Sequence, residues 1–171
     1  MNKENIKKYT KEYLPYVLII ISIIILRTYF YTPIRVNGDS MYPTLKNGEL
    51  MILSKIGLRE GIDRFEIVVV KEDNKYIIKR VIGLPGESVA YIDGKLYINK
   101  KEITDEYSKS TTNDFSEVYL NANEYFVMGD NRIVSNDSRY IGPISSEQII
   151  GKTSLRFYPF NKIGNVKWMY I

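Results

Sequence analysis

The sequence contains no cysteine and no histidine. The first absence excludes disulfides, zinc–thiolate sites and thiol nucleophiles. The second removes imidazole as a general base, so a hydroxyl nucleophile here must be activated by something else. There is no internal repeat and no low-complexity linker. No basic stripe with interleaved aromatics appears, which argues against a nucleic-acid partner. Charge is nearly balanced: 24 Lys and Arg face 20 Asp and Glu, a net of +4 that suits solubility or an anionic membrane surface. After residue 31 no long amphipathic helix is evident. What the 171 residues offer instead is one apolar run near the start, fifteen tyrosines, and a succession of short β-branched segments. That length allows an anchor plus one compact domain of about 140 residues.

The apolar run is Leu14 to Phe30. As a helix it spans roughly 26 Å, slightly less than a hydrocarbon core of about 30 Å. Arg27 can snorkel, and Tyr13, Tyr16, Tyr29 and Tyr31 can sit at the two interfaces. Pro15 is expected in the first turn, where its missing N–H does no harm. Lys3, Lys7, Lys8 and Lys11 precede the run against Glu4 and Glu12. The positive-inside rule then places residues 1–12 in the cytoplasm as a tail, 13–31 as a single transmembrane anchor, and 32–171 outside the cell membrane. A cleaved secretory signal is the first rival, but Arg27-Thr28-Tyr29-Phe30-Tyr31 lacks a small-x-small cleavage pattern. A buried core helix is the second. On the anchor reading, the short tether from Tyr31 holds Ser40 within about 30 Å of the outer membrane surface.

From Ile34 onward the pattern is mainly β: a coiled antiparallel sheet or partial barrel. Strands are expected at Leu50–Leu53, Ile67–Val70, Lys75–Ile82, Ala90–Ile92, Leu96–Ile98, Tyr125–Met128 and Ile149–Tyr158. Asp93-Gly94 is the strongest hairpin signal. A short turn is expected near Ser145–Gln148. The polar segment from about 100 to 123 reads as a long loop or small flap.

Three stretches can carry chemistry. Ser40 lies in a Gly-Asp-Ser turn between Gly38 and Pro43, residues that suit a presented hydroxyl and an ordinary turn alike. Lys79 and Arg80 adjoin within an apolar strand, so they point to opposite faces and one can lie against the core while the other is solvated. A lysine kept dry loses hydration of its charged form, which lowers its pKa. To act as a base near pH 7 it must drop by about three units, roughly 4 kcal/mol, within what burial supplies. Two surface residues on an edge strand are the plainer alternative. The third stretch, Gly129 to Pro143, is dense in hydrogen-bonding groups. Ser135 can hold a lysine amine, and Asp137 can pair with Arg139 to stiffen the loop. Calcium is the rival there, but an EF-hand counted from Asp130 has Ser135 at its sixth position and Ile141 at its twelfth, which fails the pattern.

The order of tail, apolar span, Gly38-Asp39-Ser40-Met41-Tyr42-Pro43-Thr44-Leu45, then Lys79-Arg80-Val81-Ile82-Gly83-Leu84-Pro85-Gly86-Glu87, then Gly129-Asp130-Asn131-Arg132 through Ser135, Asp137, Ser138 and Arg139 resembles bacterial type I signal peptidases. The resemblance covers the whole chain, including the Asp93-Gly94 hairpin and the closing Arg156-Phe157-Tyr158-Pro159-Phe160. It implies a membrane-anchored serine endopeptidase that removes signal peptides with a Ser–Lys dyad. Ser40 falls on the nucleophile, Lys79 on the general base and Ser135 on the hydroxyl that orients the lysine. Asp137 and Arg139 fall on the structural pair beside the site, and Met41 and Pro43 belong to the nucleophile loop. No metal or cofactor is implied. The implied partners are signal-peptide-bearing preproteins, cut after Ala-x-Ala-type segments, and membrane lipid; the chain is expected to be a monomer.

Gly38 departs from relatives that carry a serine or threonine there to help bind the oxyanion, although many Gram-positive-type members share the glycine. Ile133 and Val134 replace polar residues common in that loop. Val36, Ile52 and Ile78 are candidates, by position, for the substrate pockets. A self-cleaving repressor-type protease shares the dyad but would carry a DNA-binding module and no anchor. A catalytically inactive β module that binds exported peptides is the reading from another class.

Overall fold

The computed structural model describes residues 3–56, 58, 61–108 and 110–166. The chain divides into two units, 1–32 and 33–171. In the first, helix α1 runs Lys3–Tyr29 without a break. Pro15 therefore lies well inside the helix, not in its first turn, and removes one interior backbone hydrogen bond. Val17, Leu18, Ile19, Ile20 and Ile21 are each about half exposed, and five consecutive residues cover every face of a helix. Even so, among the described residues no helix is long and apolar enough to cross a membrane. Of the expected anchor at 13–31, residues up to Tyr29 are helical, while Tyr31 already begins a β-strand. The side chains of Lys3, Glu4, Lys7, Lys8 and Tyr29, which entered that expectation, lie outside the described residues, as does the 167–171 end of the β domain.

The second unit is mainly β and divides between two sheets. The larger contains β1 (Tyr31–Arg35), β2 (Leu50–Ser54), β3 (Ile67–Glu72), β4 (Lys75–Gly83), β9 (Glu124–Met128), β10 (Ile144–Ser145), β11 (Ile149–Tyr158) and β12 (Gly164–Asn165). Its order is β1-β2-β11-β3-β4-β9-β10, with β12 beside β11. The smaller is β7 (Lys101–Ile103), β6 (Lys95–Ile98), β5 (Ser88–Ile92) and β8 (Phe115–Tyr119), in that order. Pairings among β2–β12 are antiparallel. Segment 100–123, expected as a loop or flap, supplies both edges of the smaller sheet. Phe115 pairs opposite Tyr91 and stacks near Phe126, which gives β8 an apolar side to bury.

Three apolar clusters hold the site. Val68, Val70, Val81, Val127 and Ile149 form one; Ile82, Val89, Tyr91, Leu96, Phe126 and Met128 form the second. Val36, Met41, Leu45, Met51, Ile67 and Val166 form the third, half of it drawn from the loop that carries Ser40. Strand β4 donates Val81 to the first and Ile82 to the second, so both of its faces are covered at that end. On a strand covered in this way Arg80 is fully buried and Lys79 nearly so.

Candidate active site

Ser40 sits between β1 and β2 on a loop folded back on itself. Val36 N–H donates to Glu49 O at 2.9 Å, Gly48 N–H to Val36 O at 2.8 Å, and Leu45 N–H to Met41 O at 2.9 Å. Met41 (1% exposed) and Leu45 (0%) are its roots in the core. Gly38 has φ +87°, a left-handed conformation that favours glycine, and its N–H donates to Asn47 Oδ1 at 3.1 Å. The backbone conformation thus suits a glycine at this position. Pro43 is exposed and joined to Tyr42 by a cis peptide.

Lys79, on β4 opposite Val68, is 3% exposed. Its Nζ is hydrogen-bonded to Ser40 Oγ at 3.0 Å, a contact between residues 39 apart in sequence. An ammonium donates in this bond; a neutral amine accepts the serine proton. Burial lowers the Lys79 pKa, and Arg139 adds to the lowering, while Asp137, Glu72 and Asp130 oppose it. The net direction is down, toward the neutral amine that can accept a proton.

The loop after β9 closes the site. Asp137 Oδ2 accepts from Gly129 N–H at 2.9 Å, and Asp137 caps α2 (Ser138–Ile141). Arg139 grips that carboxylate with Nε at 2.8 Å and Nη2 at 2.9 Å, and donates to Arg132 O at 2.8 Å. The Asp137–Arg139 pair therefore ties the start of the loop to its end. Ser135 is buried, but among the described residues its Oγ has no hydrogen-bond partner, so the expected bond to the Lys79 amine is not made. The Lys79 bond runs to Ser40, while Ser135 packs over Gly129. A Cβ at Gly129 would collide with Ser135 Oγ and with the Ser40 carbonyl oxygen, both well inside van der Waals contact. Gly129→Ala is accordingly expected to push the Ser40 loop away at about 1–3 kcal/mol. A melting-temperature shift together with a loss of peptidase rate would register it; an unchanged rate would show that the crowding is tolerated.

Strand alternation suggested that one of the adjacent cations is solvated; both are buried. Arg80 (0% exposed) makes a two-pronged pair with Asp130 (0%), Nε to Oδ1 at 2.8 Å and Nη2 to Oδ2 at 2.6 Å. It also donates to Phe65 O and lies 3.7 Å from the Tyr107 ring centroid. Thr44 Oγ1 donates to the same Asp130, joining the Ser40 loop to the pair. Arg132, 2% exposed, donates to Gly129 O, Tyr91 Oη, Thr112 Oγ1 and Asp105, and so links the loop to the smaller sheet. Neither pair was expected from sequence, although a cation inside an apolar strand is the trace that Arg80 leaves. Of the pocket candidates, Val36 is buried in the third cluster, whereas Ile52 and Ile78 are half-buried. Among the described residues no three acidic side chains gather to hold a metal ion.

A hydroxyl on a rooted loop, bonded to a dry amine, is an arrangement that can activate an alcohol for attack on a carbonyl. The family described as signal peptidase, peptidase S26, matches residues 7–158. The chain is 37% identical to signal peptidase I S of Bacillus subtilis (strain 168), covering 95% of this chain and 98% of that protein. It is 33% identical to signal peptidase I of Streptococcus pneumoniae (strain ATCC BAA-255 / R6), covering 92% and 97%. Among solved structures, a signal peptidase I from Enterococcus faecalis V583 is 32% identical over 53% of this chain and 95% of that one, with a TM-score of 0.49. The chain belongs to the signal peptidase family, peptidase S26.

Proposed function

We propose that the protein removes signal peptides from exported preproteins, with Ser40 as nucleophile and Lys79 as general base. The observation that carries this reading is the 3.0 Å bond between Ser40 Oγ and the buried Lys79 Nζ. Neutral Lys79 takes the Ser40 proton as Oγ attacks the scissile carbonyl. The tetrahedral oxyanion is held by the Ser40 backbone N–H. Lysine passes its proton to the leaving amine, and a water deprotonated by the same lysine releases the acyl group. Asp137 and Arg139 keep the loop closed over the amine. The substrate lies extended along a strand edge, small residues at the first and third positions before the cut.

The apolar second half of α1 is assigned to lipid as the expected anchor. Its consecutive exposed Val, Leu and Ile residues leave no polar face to turn to water. With Lys11 and its neighbours on the cytoplasmic side, the β domain then works outside the membrane as a monomer.

Incubating the purified chain with a labelled precursor tests the activity: cleavage after a small residue is expected, and binding without cleavage would make the protein a peptide-binding module instead. The pH profile tests the base. Because the Lys79 pKa is lowered, the amine is neutral above that pKa and charged below it. Cleavage is therefore expected to rise with pH to a plateau and to fall by about tenfold per pH unit on the acid side. A rate that stays flat down to about pH 5 would exclude an amine base.

A further inference from the structure

The mechanism above gives the oxyanion one evident donor. Residue 38 has no hydroxyl, and its N–H is already committed to Asn47 Oδ1 at 3.1 Å. What surrounds the Ser40 N–H then decides how well the charge is held. One residue reaches the peptide units on both sides of Ser40. Asn131 Nδ2 donates to Asp39 O at 3.2 Å, and Asn131 N–H donates to Ser40 O at 3.0 Å. Carbonyl oxygens only accept, so the amide nitrogen is the atom that faces Asp39. Tyr42 N–H donates to the same Asp39 oxygen at 3.1 Å, which brings two donors onto that carbonyl.

We propose that Asn131 is a positioning residue for the oxyanion donor: it fixes both peptide planes flanking Ser40 and polarises the Asp39–Ser40 peptide so that the Ser40 N–H donates more strongly. This rests on the catalytic reading given above. In a trans peptide the C=O and N–H point in opposite directions along one dipole. A donor on the oxygen therefore strengthens the N–H at the other end, as each member of a hydrogen-bond chain polarises the next. When negative charge develops opposite the Ser40 N–H, the chain runs from Asn131 Nδ2–H through the Asp39 carbonyl and the Ser40 N–H to the charge. The ground-state carbonyl carries less charge and gains less, so the effect belongs in the chemical step. Asn131 touches neither substrate nor the Ser40 hydroxyl in this scheme. Any side-chain variant keeps the Asn131 N–H bond to Ser40 O, so the loop stays tied while only the polarising arm is lost.

The test uses the full chain in detergent with a fluorogenic precursor peptide, comparing Asn131→Ala, the near-isosteric Asn131→Asp and Ser40→Ala. For Asn131→Ala, kcat is expected to fall about tenfold with KM within about twofold and the pH profile unmoved. Asn131→Asp, which cannot donate and faces a carbonyl with a carboxylate, is expected to lose about a hundredfold. Affinity for a peptide boronate, which forms a tetrahedral anionic adduct on a serine hydroxyl, should fall in parallel with kcat, while affinity for an uncleavable peptide should hold. A merely structural tie would instead move Tm and both affinities together. Full kcat in both Asn131 variants, or boronate affinity that does not follow kcat, overturns the inference while a dead Ser40→Ala keeps the catalytic reading standing. Wild-type cleavage that persists in Ser40→Ala overturns both.

Discussion

Lys79→Met protein is expected to fold, bind a precursor and leave it uncut. Methionine matches the reach of the lysine stem, carries no charge and tolerates an irregular buried site. What it lacks is the lone pair that, in the proposed mechanism, takes the Ser40 proton. Removing a general base costs about 10²–10⁴-fold, and members of a nucleophile–base unit fail together, so a loss of about 10⁴-fold or more is expected. Ser40→Ala should lose as much, and the double variant little further. The stability of Lys79→Met adds an independent check with a definite sign. The folded-state Lys79 pKa lies below its unfolded value of about 10.4. Between those two values the unfolded chain binds the extra proton, so wild-type stability falls as pH drops through that window and levels off beneath the lowered pKa. Methionine has no such loss. The variant should therefore gain on the wild type as pH falls from about 10, a trend that denaturant melts at several pH values would trace. Processing by Lys79→Met within about tenfold of the wild-type rate would rule out the amine as base.

The turn and the strand that carry Ser40 and Lys79 are legible in local pattern, but the roles proposed for them come from the family resemblance, since each pattern equally suits an ordinary turn or an edge strand. Gly38 and Pro43 frame a turn around Ser40, and the absence of histidine directs attention to the lysine inside an apolar strand. The strands Ile67–Val70 and Lys75–Ile82 declare themselves through β-branched runs. Other features depend on partners far away in sequence. Arg80 meets Asp130 across 50 residues and Asn131 meets Asp39 across 92, distances over which no periodicity speaks. The two-face rule for strands also misleads at Lys79 and Arg80. It sorts side chains into two directions, but says nothing of whether the second direction is water. Here Ile82 and Arg80 face the smaller sheet's cluster, whose outer strand β8 lies in a segment too polar to be seen as part of a core. Lys101-Glu102-Ile103 similarly pairs as an edge strand despite two charges in three residues, since edge strands tolerate charge. At Ser135 the family resemblance points to a bond with the lysine, whereas among the described residues the hydroxyl has no hydrogen-bond partner and Lys79 Nζ bonds Ser40 instead.

Asp130→Ala is expected to be the most destabilising single change near the site, at about 3–5 kcal/mol, because it strands a guanidinium that has no route to solvent. Arg80 and Asp130 are both fully buried, and two parallel N–H···O bonds satisfy the carboxylate from one side while Thr44 donates from another. Deleting the acid leaves Arg80 with the Phe65 carbonyl and the Tyr107 ring face, neither of which carries a compensating charge. For a domain of this size the loss corresponds to a Tm lower by roughly 10 °C or more. Replacing both partners, Arg80→Met with Asp130→Leu, should recover much of the stability, since an apolar pair of similar volume asks for no desolvated charge. Activity should not return with it. The double variant still lacks the Thr44 anchor that holds the nucleophile loop to the loop after β9, so Ser40 loses its fixed distance from Lys79 although the core is intact. Recovery of both stability and cleavage in the double variant would reduce the Arg80–Asp130 pair to a core-filling element. Recovery of stability alone separates the folding of the domain from the registration of the Ser40 loop against the loop after β9.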